Sequence, residues 1–224
     1  IPRIESVAGW KELPIIECGE RLVKINDYAP EHIIVRAEYC ERGLLWANRD
    51  QFLREGALRR LVMAAELLPR GMKIVVWDAW RPLEVQQALF DQHLELLRKE
   101  HPGVKEDELI VLAQTYVSLP SSDPLKPSPH FTGGAVDLSL LDESGNDIDM
   151  GTKFDHFGPE AGLRYFEKKE NEEIKRNRRL LYWVMREAGF SGYDEEWWHF
   201  DFGNQFDVKR IGKSNAIYGG ITLY

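Results

Sequence analysis

The segment Ser128-Pro129-His130-Phe131-Thr132-Gly133-Gly134-Ala135-Val136-Asp137, with Glu196-Trp197-Trp198-His199 far downstream, carries the groups best able to do chemistry in this chain. It offers two imidazoles, one carboxylate and a separate glutamate. A catalytic zinc site is built from such parts: three protein ligands, an open position for water, and a base for that water's proton. The chemistry expected is hydrolysis by a metal-activated water.

Neither half makes the case alone. His130 follows a proline-rich stretch and precedes Gly133-Gly134, where the backbone can bend sharply and pass close to another group. A tight turn would bring His130 and Asp137 to one ion, but a loop histidine and a turn carboxylate explain the same residues. His199 is flanked by Trp197, Trp198, Phe200 and Phe202, and a histidine among aromatics needs partners for its ring nitrogens. Backbone would serve. Glu196 resists that reading, because carboxylates are rarely buried unless paired or bound to a metal. Positions i and i+3 of a straight strand face opposite sides, so Glu196 joins His199 only if the chain turns between them. His32, His93 and His101 fall in an early strand, in mid-helix and at a helix end. Nothing selects His156 as a ligand.

The elements that must position these groups can be read from pattern. The first 45 residues mix short apolar runs (22–25 and 32–35) with Pro and Gly, and read as irregular strands and loops wrapping the domain. Residues 57–68 have helical spacing and stop before Pro69. Residues 73–77 read as a buried strand, ending in Asp78-Ala79-Trp80-Arg81-Pro82. Pro82 suits the first turn of the next helix, which runs to about Glu100, and another helix covers 106–116. Residues 118–129 hold four prolines and form a loop into His130. Residues 135–140 alternate as a strand, 142–146 turn, 172–188 form an amphipathic helix capped by Gly189, and 198–202 are a last strand. The fold class expected is α+β: one domain over residues 1–224, a small antiparallel sheet flanked by helices.

Bulk properties narrow the function. A net charge of −8 argues against a nucleic-acid binder that neutralises phosphates. No apolar run approaches the roughly 20 residues of a membrane span. Cys18 and Cys40 are the only cysteines, too few for a zinc tetrad. They pair in an oxidising compartment or stay free in a reducing one. A start at Ile1 fits a cleaved leader and a trimmed chain equally well.

The pattern Ser-x-His-x-x-Gly-x-Ala-x-Asp with a later Glu-x-Trp-His resembles the zinc D-Ala-D-Ala dipeptidases of the vancomycin-resistance type, part of a larger group of zinc peptidases acting on cell-wall peptides. Trp77-Asp78-Ala79-Trp80-Arg81-Pro82, Asp149-Met150-Gly151-Thr152-Lys153-Phe154-Asp155, and Asn177-Arg178-Arg179-Leu180-Leu181 through Ala188-Gly189-Phe190 match that branch too. The likeness spans at least residues 73–202, a motif-bearing core.

The resemblance implies a hedgehog/DD-peptidase-like zinc peptidase fold with its zinc site at the sheet and one Zn2+ per chain. It implies His130, Asp137 and His199 as ligands, Glu196 as general base and then acid, and Arg81 as stabiliser of the oxyanion. Ser128 and Asp155 become candidates for the substrate's free amino end. The implied partner is a small dipeptide in a bacterial cytoplasm or periplasm. Bland readings stand beside these: an Arg81–Asp78 ion pair, a capping Ser128, a turn Asp155. A D,D-carboxypeptidase or other wall peptidase is the alternative enzyme, and a zinc module without catalysis the alternative class. Glu196 and Arg81 together speak against the last.

Overall fold

Seven consecutive buried residues, Ala135–Leu141, form the central strand. In the computed structural model, which describes residues 1–223, the elements follow in the order β1 (Leu22–Lys24), β2 (Ile33–Val35), α1 (Glu38–Glu41), β3 (Phe52–Arg54), α2 (Glu55–Glu66), β4 (Lys73–Asp78), α3 (Leu83–Glu100), α4 (Glu106–Ala113), β5 (Ala135–Leu141), α5 (Glu172–Glu187), β6 (Ser191–Gly192), β7 (His199–Asp201) and α6 (Gln205–Arg210). The main sheet has the order β2-β4-β5-β7-β6, and β1 pairs with β3 in a separate antiparallel ribbon.

The α+β class holds, with one refinement. β2 runs parallel to β4, while every other pair in the main sheet is antiparallel. Direction is not written in an apolar run. It follows from α2, which lies between β2 and β4 in the chain and can return it to the same end of the sheet. The alternation in β5 is real but both its faces are covered. Val136, Leu138 and Leu140 join Leu58, Leu61, Leu181 and Met185 of α2 and α5 in the main core. Asp137 and Ser139 point the other way and are buried as well.

Local chemistry sets most boundaries. Pro82 caps α3 rather than opening its first turn, with φ −66° and ψ 156°. The Asn171 side chain accepts the Ile174 N–H at the start of α5. Gly189, at φ 95°, ends it. The expected helix over 106–116 stops as a helix at Ala113. Cys18 and Cys40 are both free. No described helix is long and apolar enough to cross a membrane.

Candidate active site

Sheet register builds most of the site. A shift in the β4–β5 pairing between Val76 and Asp78 sets Asp78 beside Asp137, and the β5–β7 pairing sets Asp137 beside His199. The three residues therefore stand in one row across three strands. Asp201, two residues beyond His199, shares its face. His130 comes from the 3-10 turn His130–Thr132 just before β5. Gly133 follows it at φ 70°, and a Cβ there would fall 2.5 Å from Leu22 Cδ2. A Cβ on Gly134 would fall 2.4 Å from the Phe202 carbonyl. Only glycines let this turn lie against its neighbours.

Three donors converge. His199 Nδ1 is 3.0 Å from Asp137 Oδ1, His130 Nε2 is 3.3 Å from Asp137 Oδ2, and the two ring nitrogens are 3.2 Å apart. All three side chains are buried. The other nitrogen of each ring is already engaged: His130 Nδ1 with the Ala79 carbonyl at 2.7 Å, His199 Nε2 with Asp201 Oδ2 at 2.9 Å. Those contacts turn the lone pairs of Nε2 and Nδ1 towards each other, as metal-ligating histidines require. Burial opposes a charge on His199, but Asp201 and Asp137 raise its pKa to about 10. Burial would also raise Asp137, yet His130 and His199 hold it well below the usual carboxylate range. The space between the rings favours a cation. Among the described residues, these three form a cluster able to hold a metal ion, their donor atoms all within 4.8 Å of one another. Two imidazoles and one carboxylate fit Zn2+.

The remaining residues surround this cluster unequally. A cavity of about 390 Å3 is lined by His130, Asp137 and His199 together with Glu196, Arg81 and Asp155, within the usual size for a small-molecule site. A turn at Trp197-Trp198 brings Glu196 round to the side of His199. Glu196 is half-buried and makes no hydrogen bond among the described residues. Burial, opposed by His199, pushes its pKa up to about 8. Arg81 keeps both of its readings: its Nε donates to Asp78 Oδ2 at 2.9 Å and its Nη1 to Gln86 Oε1 at 2.8 Å, while Nη2 lies 3.4 Å from Asp137 Oδ2. Ser128 stands outside the cavity lining. Its Oγ is buried without a partner, and its carbonyl accepts the Phe131 N–H.

A family model described as Peptidase_M15, D-ala-D-ala dipeptidase, matches residues 48–215. The chain belongs to this dipeptidase family. A D-alanyl-D-alanine dipeptidase of Synechocystis sp. is 34% identical over 95% of this chain and 94% of its own length. One from Escherichia coli is 30% identical over 65% of this chain and 62% of its own. Among solved structures, a variant of the vancomycin-resistance D,D-pentapeptidase VanY in complex with Zn(II) aligns over 91% of this chain and 96% of that one, at 16% identity and a TM-score of 0.43.

Within this dipeptidase-family chain, the residues that motif reading missed cluster at Asp155. Tyr39 Oη donates to Asp155 Oδ1 at 3.0 Å and Arg42 Nη1 to Asp155 Oδ2 at 2.8 Å. Both come from the N-terminal wrap, at α1 and its C-cap, where the sequence offers no pattern to mark them. Asp155 itself has φ 59°, a conformation rarely held by a non-glycine residue except where structure imposes it. Asp201 was also missed, although its i+2 spacing from His199 on a strand was a usable signal. His156 pairs with Glu160 at 3.4 Å, away from the cavity.

Proposed function

We propose that this protein is a zinc-dependent dipeptidase that hydrolyses D-alanyl-D-alanine to two D-alanines. The observation that carries the reading is the meeting of His130, Asp137 and His199 with an unpaired Glu196 in one cavity. Family membership supplies the substrate class.

His130 Nε2, His199 Nδ1 and the Asp137 carboxylate would hold the metal. Zinc, when bound, supplies Lewis acidity for the peptide carbonyl and acidifies water at the site. The chain's own residues do the rest. Glu196 takes the proton of the attacking water and returns it to the leaving nitrogen: burial favours its protonated form for the return, and the positive charge of a bound metal would keep it ionised for the first transfer. Arg81 aims its guanidinium at the oxygen that becomes anionic. Burial opposes that charge, but Asp78 and its other neighbours hold it firmly protonated. Asp78 and Gln86 fix the fork in place.

Asp155 receives the substrate ammonium and so measures length at the amino end. Tyr39 and Arg42 orient its carboxylate from the side. Ser128 supports the His130 turn through its carbonyl, and its unpaired Oγ stays the second candidate for the ammonium. The carboxypeptidase alternative gains no observation of its own, because a carboxylate at the amino end disfavours an acylated chain there.

The test is amine release from D-Ala-D-Ala, L-Ala-L-Ala and N-acetyl-D-Ala-D-Ala, with and without a chelator. Chelator-sensitive cleavage of the free D,D-dipeptide alone is expected. Efficient cleavage of the acetylated compound would move the protein to the carboxypeptidases.

A further inference from the structure

The cavity extends along α3 beyond the groups used so far. Gln86, Leu89, His93 and Leu96 all line it, and their spacing of three, four and three puts them on one stripe of the helix. Gln86 marks the metal end through its bond to Arg81. His93 is two turns on, about 10 Å further along the axis at ~1.5 Å per residue.

His93 is 4% exposed. Its ring stacks on Phe157 at 4.2 Å, with Tyr116 edge-on at 6.0 Å. Neither Nδ1 nor Nε2 has a hydrogen-bond partner among the described residues. Packing alone would be served by a leucine or phenylalanine, and burying an imidazole with both nitrogens unpaired is unfavourable. Both nitrogens are closed to water as the cavity stands, so a ligand that accepts a hydrogen bond would complete the site by drawing an edge of the ring towards itself.

The substrate has one group still without a partner. Asp155 takes the ammonium, and Arg81 with the metal ligands faces the scissile carbonyl. The terminal carboxylate remains. Two guanidinium groups line the cavity, and both are engaged: Arg81 by Asp78, Gln86 and Asp137, Arg42 by Glu38 and Asp155. The terminal carboxylate lies one extended residue, roughly 3.5 Å, past the scissile carbon, and the His93 side chain leans back along α3 towards Gln86. We infer that His93 donates a ring N–H to the terminal carboxylate of the dipeptide and so measures substrate length at the carboxyl end. This rests on the dipeptidase reading above. His93 is a binding residue in this scheme and takes no part in proton transfer at the scissile bond.

The experiment compares wild-type protein, His93→Phe and His93→Gln on D-Ala-D-Ala and on D-Ala-D-alaninamide. Phenylalanine keeps the stacking and removes the nitrogens; glutamine restores a donor. The expected result for His93→Phe is KM raised about 10- to 100-fold for D-Ala-D-Ala, with kcat within a few-fold and the amide unaffected. His93→Gln should recover part of the loss. Equal losses on both substrates would mean that His93 only packs, and no loss on either would mean that the carboxylate binds elsewhere. A second readout needs no turnover: 15N resonances of His93 in zinc-loaded Glu196→Gln protein should move on adding D-Ala-D-Ala and not on adding the amide. Absence of wild-type cleavage would defeat the dipeptidase reading, whereas His93 resonances unmoved by bound dipeptide would defeat this inference alone.

Discussion

His130 Nε2 and His199 Nδ1 lie 3.2 Å apart, while the other nitrogen of each ring is held by an oxygen acceptor, the Ala79 carbonyl at 2.7 Å and Asp201 Oδ2 at 2.9 Å. Without metal His199 stays protonated, its Nδ1 held against Asp137, and a bound metal would replace that proton and draw both lone pairs onto itself. Folding and metal binding are therefore coupled here. With free zinc at 1,000 times its Kd, the folded state gains about 4 kcal/mol, or roughly 10 °C in Tm for a chain of this size. Thermal melts with and without a chelator should differ by about that much, and chelation should abolish turnover. His199→Ala should melt at the same temperature under both conditions; a variant that kept the full zinc shift would contradict the ligand set.

Glu196 has no hydrogen-bond partner among the described residues, so removing its carboxylate disturbs little else. Glu196→Ala should keep zinc and its melting temperature while kcat falls by roughly 10²- to 10⁴-fold. Metal content by mass spectrometry or atomic absorption, measured beside kcat, separates the two effects. Near-normal kcat would refute the assigned role.

Asp155 predicts an acid limb in KM. Burial, opposed mainly by Arg42, pushes its pKa up to about 6. The carboxyl is ionised above that value and neutral below it, whereas a dipeptide ammonium stays charged to a pH of about 8. KM should rise as pH falls through 6, and Asp155→Asn should have a high KM with that limb gone. The linkage to stability has the opposite sense. A carboxyl whose folded pKa is raised favours the folded state more as pH drops from about 6 towards the ordinary range near 4. A pH series of KM, with Tm on the same samples, reads both.

Arg178 tests how the Asp155 loop is held. Its guanidinium is buried and donates to three carbonyls, Met150 at 2.7 Å, Gly162 at 2.6 Å and Glu160 at 2.7 Å. Burial lowers its pKa to about 9, with Asp149 opposing, so it remains charged at neutral pH. Arg178→Met would leave the Met150 and Glu160 carbonyls unpaired, while Gly162 keeps the Tyr165 N–H, at about 1–3 kcal/mol for each group that water cannot reach. The expected loss is at least about 2 kcal/mol by denaturant melts. KM should rise more than kcat falls, because the loop carrying Asp155 loses its tie to α5.

Sequence specifies the ligand types, the glutamate and the glycine turn, since each is a matter of side-chain chemistry or backbone freedom at a fixed spacing. It determined most elements too, from 172–188 as an amphipathic helix to 73–77 as a buried strand. How these groups meet depends on packing between distant segments. Asp78, Asp137 and His199 become neighbours only through the register of three strands, one of them shifted at Trp77, and register depends on contacts between segments more than 50 residues apart. The turn at Trp197-Trp198 decided that Glu196 reaches the cavity, which an i, i+3 spacing on a strand would have denied. Tyr39 and Arg42 carry no local signal, because their importance lies in a loop 113 or more residues away. The parallel pairing of β2 with β4 follows from where α2 packs. Spacing along the chain encodes local geometry, whereas a site assembled from four segments depends on the packing that brings them together.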